Sequence, residues 1–150
     1  MGFLKRIRLK KYQDLSPYEV IQVAHWRNSY AIRKCMIERD IFSLKAHKHF
    51  IKFLDFPFVK VEDLGAFNFQ FVDNDSVELG IFKNPFKKRV GTFLMEQALL
   101  YAKKHFPEKK IILKVFKHNR RAIKLYKRFD FKVIKQEKRL LFMERVCANR

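Results

Sequence analysis

Glycine and proline are scarce, at four residues each in a chain of 150. So few chain breakers exclude a disordered or linker-rich architecture, and this length suits one core, so residues 1–150 are read as a single domain. No run of 18 apolar residues occurs, which excludes a membrane-spanning helix. The opening Met1-Gly2-Phe3-Leu4-Lys5-Arg6 lacks the apolar stretch of a signal peptide. Position 6 lacks the Ser or Thr of a myristoylation signal, and Cys147-Ala148-Asn149-Arg150 is a poor prenylation signal. Cysteine is limited to Cys35 and Cys147, far apart, and these read as free buried thiols in a reducing compartment, the cytoplasm. The five His and two Cys show no metal-ligand spacing, and no Ser/His/Asp arrangement occurs, so no metal site is expected.

Acidic residues are also few. There are 15 against 34 basic residues, a net charge of +19. The excess is uneven, because residues 84–150 hold 20 of the basic residues and only five of the acidic ones. That segment ought to meet an anion, and a nucleic acid, an acidic protein surface or a phosphate-rich small molecule would each qualify. Apolar residues are plentiful at 48%, with 17 Phe, enough for a packed interior.

Pattern and punctuation divide the chain into helices, a strand meander and a mixed C-terminal half. Residues 6–10 read as a short first strand. Ser16-Pro17-Tyr18-Glu19 is a helix start, with Ser as cap and Glu three residues on, and the helix runs to about Trp26. A short helix follows over 29–36, and Ser43 caps a third that ends near Leu54. Phe56 to Val61, Leu64 to Val72 and Val77 to Phe82 read as an antiparallel meander. Glu62-Asp63 forms the first turn and Asp73-Asn74-Asp75 the second. Pro85 ends the third strand. A helix over roughly 90–105 places Val90, Phe93, Leu94, Ala98 and Tyr101 on one stripe. Ile111 to Phe116 is a continuous apolar-rich strand expected to be covered on both faces. Asn119 opens a helix to about Phe129, and 131–135 and 139–147 are closing strands. The strand–helix–strand unit over 77–116 predicts two parallel neighbours joined by a right-handed crossover.

Two segments carry chemistry. In the first, a strand (Val77-Glu78-Leu79-Gly80-Ile81-Phe82) leads into a basic loop, Lys87-Lys88-Arg89-Val90-Gly91-Thr92, and then into a helix. Free backbone N–H groups and a positive helix end then point at one spot, a place for pyrophosphate. Gly91 allows close approach and Thr92 adds a hydroxyl. In the second, Asn119 and Tyr126 stand seven residues apart on one helix face, roughly 10 Å along the axis. Taken singly, Asn119 is equally an N-cap and Tyr126 a core anchor.

Together the two segments resemble the GNAT acetyltransferase superfamily. Asn119, Ala122, Ile123, Leu125, Tyr126 and Phe131 match its final motif, and the strand–loop–helix over 77–105 matches its acetyl-CoA motif. Upstream, Trp26-Arg27-Asn28, Ile32 to Met36 and Ser43 to Ile51, with Asn84-Pro85-Phe86, resemble a subgroup of that superfamily. The subgroup acetylates the 4-amino group of a UDP-linked 4-amino-4,6-dideoxy-hexosamine in pseudaminic acid biosynthesis, used in flagellin glycosylation. The chain departs from the phosphate-loop pattern at Phe86 and at Arg89, which replaces a Gly, and has Asp130 where a Gly often precedes Phe131. The Arg89 side chain must point outward, and Asp130 tolerates a left-handed backbone.

The resemblance implies an α/β, three-layer fold with a mixed, mostly antiparallel sheet, a splayed parallel pair and flanking helices. It implies acetyl-CoA as cosubstrate, no metal, and direct transfer to an amine. Leu79, Gly80, Ile81 and Phe82 would bind the pantetheine arm through backbone groups, with an N–H near Ile81 polarising the thioester carbonyl. Lys87, Lys88, Arg89, Val90, Gly91 and Thr92 would meet the pyrophosphate, and Asn119 would hold the pantetheine. Tyr126 would protonate the departing thiolate, and Glu78 would accept the amine proton through water. Trp26, Arg27, Met36 and His47 would line the sugar-nucleotide side. A homodimer is an open expectation. Two alternatives stand beside this: an acetyltransferase of a protein or peptide amine such as a ribosomal protein N-terminus, and a non-catalytic nucleic-acid-binding module on the same fold.

Overall fold

The first long helix begins where Ser16 and Glu19 predict. Ser16 Oγ accepts from the Glu19 N–H at 3.2 Å, and Glu19 Oε1 accepts from the Ser16 N–H at 3.0 Å, with Pro17 opening the helix. Two orphan donors of the helix start are thereby satisfied. Glu19 also takes Lys10 Nζ at 2.8 Å and Lys60 Nζ at 3.6 Å, which ties the helix to the sheet beneath it. The Lys10 and Ser16 hydrogen bonds hold the Glu19 carboxyl down at about 2. Its contribution to folding therefore stands above its ordinary 4.5 and fades as pH falls towards 2.

The computed structural model describes residues 7–37 and 40–146. The helices are α1 (Pro17–Asn28), α2 (Tyr30–Arg33), α3 (Leu44–Lys52), α4 (Gly91–His105) and α5 (Arg120–Arg128). The strands are β1 (Leu9–Lys11), β2 (Phe58–Val61), β3 (Gly65–Phe71), β4 (Ser76–Lys83), β5 (Lys110–Phe116), β6 (Lys132–Gln136) and β7 (Leu140–Arg145). They form one sheet in the order β1-β2-β3-β4-β5-β7-β6. Every neighbouring pair is antiparallel except β4 and β5, which are parallel. A parallel pair cannot be closed by a hairpin, and α4 supplies its crossover.

Side chains alternate across a strand, so each strand feeds two layers. Val59, Val61, Phe67, Phe69, Val77 and Leu79 face one way and pack with Leu94, Met95, Ala98 and Ala102 of α4 and with Tyr126 of α5. Phe58, Ala66 and Phe82 face the other way and pack with Tyr12, Val23, Trp26 and Ile51. The sheet is thus the middle of three layers, in keeping with the fold class expected from the sequence. Lys60 also lies on this second face. It is buried, donates to Glu62 O, and lies 5.6 Å from the Trp26 ring centroid, so its charge is paired rather than stranded.

Four expectations change. The first strand is Leu9–Lys11 rather than 6–10, because it pairs from Leu9 opposite Val61 (Arg6 lies outside the described residues). The α4 core stripe is centred on Leu94, Met95, Ala98, Leu99 and Ala102, with Phe93 and Tyr101 at its margin. Tyr101 packs at that margin on Phe69, with rings 6.0 Å apart and nearly parallel. β5 is covered on one face only: Ile111, Leu113 and Val115 are buried, while Lys110 and Lys114 are exposed. On the second face the apolar cluster with α1 and α3 takes in Phe58, Ala66 and Phe82 of β2–β4 and, among the described residues, none of β5. Finally, Cys35 is exposed rather than buried, because it falls in the turn after α2; Cys147 lies outside the described residues.

Candidate active site

The parallel strands part midway. β4 and β5 pair at Ser76↔Lys110, Val77↔Ile111 and Glu78↔Ile112, and there the ladder ends, although β4 continues to Lys83 and β5 to Phe116. Leu79 to Lys83 keep their partners on β3 but have none on β5 in that register. A strand edge with unsatisfied backbone groups opens in the middle of the sheet. Such an edge takes an extended ligand as an added strand.

The start of α4 lies beyond the end of β4. Helices α1, α3 and α5 each carry a side-chain cap, from Ser16, Ser43 and Asn119. Helix α4 is longer than any of these, at 15 residues, and its N-cap Val90 makes no side-chain capping bond. Its first N–H groups therefore remain available to an anion. Arg89 enters this turn at φ 59° with its side chain exposed, the left-handed backbone for which a Gly is the ordinary choice. Asp130 does the same at φ 67° before Phe131. Both departures from glycine thus keep the backbone that glycine would have given.

On the second face of the sheet lies a cavity of about 240 Å³ lined by Tyr12, Arg27, Met36, Phe42, His47, Phe50, Phe58, Asn68, Ile81 and Phe82. Ile81 and Phe82 belong to the unpaired part of β4, so the cavity opens onto the same strand as the gap. Asn28 closes one wall: its Nδ2 donates to Phe42 O at 2.7 Å and its Oδ1 accepts from the Phe42 N–H at 2.9 Å. The Phe42 ring is held 5.3 Å from the Arg27 guanidinium. His47 is 7% exposed, and its Nε2 has no hydrogen-bond partner among the described residues. Burial lowers its pKa, so the imidazole stays neutral near pH 7.

Residues 64–131 match the profile of the Acetyltransferase (GNAT) family. The acetyltransferase PseH of Campylobacter jejuni strain 81-176 is 29% identical over 139 residues, 88% of each chain. The solved structure of Campylobacter jejuni N-acetyltransferase PseH in complex with acetyl coenzyme A superposes with a TM-score of 0.75 at 24% identity, over 94% of this chain and 99% of that one. The spermidine N-acetyltransferase of Vibrio cholerae, solved with CoA and spermine, gives 0.79 at 19% identity, over 95% and 96%. Residues 64–131 thus carry a GNAT acetyltransferase domain.

Within this acetyltransferase the residues singled out from sequence fall into four groups. Arg27, Met36 and His47 meet on the cavity with Ile81 and Phe82. Arg89, Val90, Gly91 and Thr92 form the start of α4, with Lys88 exposed in the loop before it. Tyr126 is 9% exposed among core residues of β5 and α4, and burial raises its phenol to about 12, with Cys35 adding to the rise.

The fourth group is engaged elsewhere. Trp26 is 3% exposed and belongs to the core between α1 and the sheet, not to the cavity lining. Lys87 Nζ lies 3.1 Å from Asp63, whose carboxyl it holds low. Glu78 stands at the last paired position of β4, 3.3 Å from Lys114 Nζ. Asn119 Oδ1 accepts from the Ala122 N–H at 3.3 Å as an N-cap. Leu79 points its side chain into the core, leaving its backbone at the gap. Gly91 has a packing reason of its own, because an added Cβ would lie 3.2 Å from Leu125 of α5.

Three features escaped the sequence reading. Asn68 is a polar position between two phenylalanines, and the alternation signalled only that it faces away from them. Arg128 donates to Thr92 Oγ1 at 2.8 Å and so joins the end of α5 to the start of α4. Asn84 enters the sequence reading at the strand end and in the Asn84-Pro85-Phe86 resemblance, with no clamping role. It is buried, donates to Asp63 O at 2.8 Å, and its Oδ1 accepts from the Phe86 N–H at 3.0 Å, so it fixes the phosphate loop to the β2–β3 turn. Asn84→Ala strands those backbone groups and costs about 1–3 kcal/mol. Urea unfolding of the variant measures the loss, and a midpoint equal to wild type would refute the clamp.

Proposed function

We propose that this acetyltransferase moves an acetyl group from acetyl-CoA to the 4-amino group of a UDP-linked 4-amino-4,6-dideoxy-hexosamine, the acetylation step of pseudaminic acid biosynthesis, in the cytoplasm. The observation that carries the reading is the end of β4–β5 pairing at Glu78 and Ile112, beside a helix start that has no side-chain cap. The PseH relatives, matched over 88% of the chain, support the choice of acceptor. Acetyl-CoA supplies the activated acetyl thioester.

The chain's own residues divide the remaining work. Backbone groups of Leu79, Gly80, Ile81 and Phe82 bond the pantetheine arm, and the Ile81 N–H polarises the thioester carbonyl. The N–H groups of Gly91 and Thr92, with Lys88 and Arg89, hold the pyrophosphate. Tyr126, kept protonated by burial, gives its proton to the departing thiolate. Glu78 accepts the proton of the attacking amine through water, within its ion pair to Lys114. On the acceptor side Arg27 faces the diphosphate, while Met36 and the aromatic walls pack on sugar and base.

The test is an acetyl-CoA titration followed by a turnover screen of the UDP-4-amino-sugar against a ribosomal N-terminal peptide. Saturable acetyl-CoA binding and turnover of the sugar alone are expected. Turnover of the peptide alone would move the acceptor to a protein amine. Salt-sensitive RNA binding without acetyl-CoA binding would remove the enzyme reading.

A further inference from the structure

Gly80 has no conformational reason to be glycine. No glycine among the described residues has a positive φ, and Gly80 sits in regular strand opposite Asn68 of β3. The reason lies across the strand pair. A Cβ built on Gly80 would run into Asn68 Oδ1 and come within 3.1 Å of its Cγ and 3.4 Å of its Nδ2. The Asn68 carboxamide, oxygen nearest, occupies space that any side chain at position 80 would take.

That placement has a chemical consequence. Asn68 lines the cavity, and with Arg27 and His47 it supplies polar groups to walls that are otherwise mostly aromatic. Arg27 comes from α1 and His47 from α3, whereas Asn68 comes from the sheet itself. Phe67 pairs with Ile81 and Asn68 with Gly80, so its carboxamide lies beside the stretch of β4 that has no partner on β5. A neutral amine attacks through its lone pair and has N–H groups to donate. A carboxamide offers an acceptor for one of them and two donors for neighbouring hydroxyls.

We propose that Asn68 is an acceptor-binding residue: its carboxamide oxygen takes an N–H of the attacking amine where the cavity meets the open edge of β4, and Gly80 is present to let it lie there. This deepens the acceptor assignment above and rests on it. The group selected for is a primary amine flanked by a hydrogen-bonding substituent, as on an amino sugar.

The experiment compares wild type, Asn68→Ala, Asn68→Ser, Gly80→Ala and the double variant Asn68→Ala/Gly80→Ala. Steady-state kinetics with the UDP-4-amino-sugar, acetyl-CoA isotherms and thermal midpoints are measured for each. Asn68→Ala is expected to raise the acceptor KM about tenfold or more, with the acetyl-CoA Kd and the midpoint unchanged. Asn68→Ser should recover part of that loss. Gly80→Ala should reproduce it by displacing the carboxamide, and the double variant should be no worse than Asn68→Ala alone.

Wild-type kinetics in Asn68→Ala would overturn the assignment. A Gly80→Ala penalty that persists undiminished in the Asn68→Ala background would overturn the link between the two positions. A wild-type protein that binds acetyl-CoA but leaves the sugar unacetylated sinks the acceptor reading and this inference with it. A wild type active on the sugar beside an unaffected Asn68→Ala sinks the inference alone.

Discussion

Tyr126→Phe is expected to lower kcat by about tenfold or more, since positioned acid–base groups contribute factors on the order of 10²–10⁴, while the acetyl-CoA Kd stays at the wild-type value. The substitution removes one oxygen and keeps the ring, so the edge contact with Phe131 at 6.0 Å survives and the core around α5 is undisturbed. Burial holds the phenol at about 12, so it is protonated at every pH at which the enzyme is assayed. A group in that state can give a proton and cannot accept one, which fits the departing thiolate and not removal of a proton from the attacking amine. Single-turnover rates and a binding isotherm separate the two quantities. Unchanged turnover would remove Tyr126 from the acid role and leave it as a core anchor.

His47→Leu should move two measurements in opposite directions. The imidazole is buried with Nε2 unpartnered among the described residues, and a buried polar atom without a hydrogen bond costs about 1–3 kcal/mol. Leucine removes that cost, so the thermal midpoint rises. The same change deletes a polar group facing the cavity, so the acceptor KM should rise about tenfold or more. Stability gained as function is lost is the signature of a residue kept for binding. The pH dependence gives a second check. The His47 pKa is lowered in the folded state, so the unfolded chain binds the extra proton in the window just below the ordinary 6.5. Wild-type stability therefore rises with pH through that window, and the leucine variant lacks this slope. A variant with lower stability and unchanged KM would make His47 an ordinary structural histidine.

Where local rules governed, the sequence was legible. Ser16, Ser43 and Asn119 cap helices as their types and spacing predict, because a cap is a contact within one turn. The alternation Phe67, Asn68, Phe69 located a strand with two unlike faces, as the pleat requires. The motif from Asn119 to Phe131 pointed to the family by its resemblance to that family's final motif. Less was legible where a residue's role depends on a distant segment. Trp26 reads as a substrate-side residue beside Arg27, yet adjacent positions on a helix point about 100° apart, and only Arg27 reaches the cavity. Lys87 reads as a phosphate ligand, but Asp63 comes within 3.1 Å from the β2–β3 turn and engages it.

The amino-acid order alone determined the elements and the strand–helix–strand unit around α4, because these follow from periodicity and caps that act within a few turns of chain, while the family entered through a resemblance of motifs. Tertiary structure decided where the β4–β5 ladder stops, which polar groups meet on the cavity, and why position 80 has no side chain. Those outcomes depend on register between strands and on contacts between residues far apart in sequence, and no local propensity encodes them.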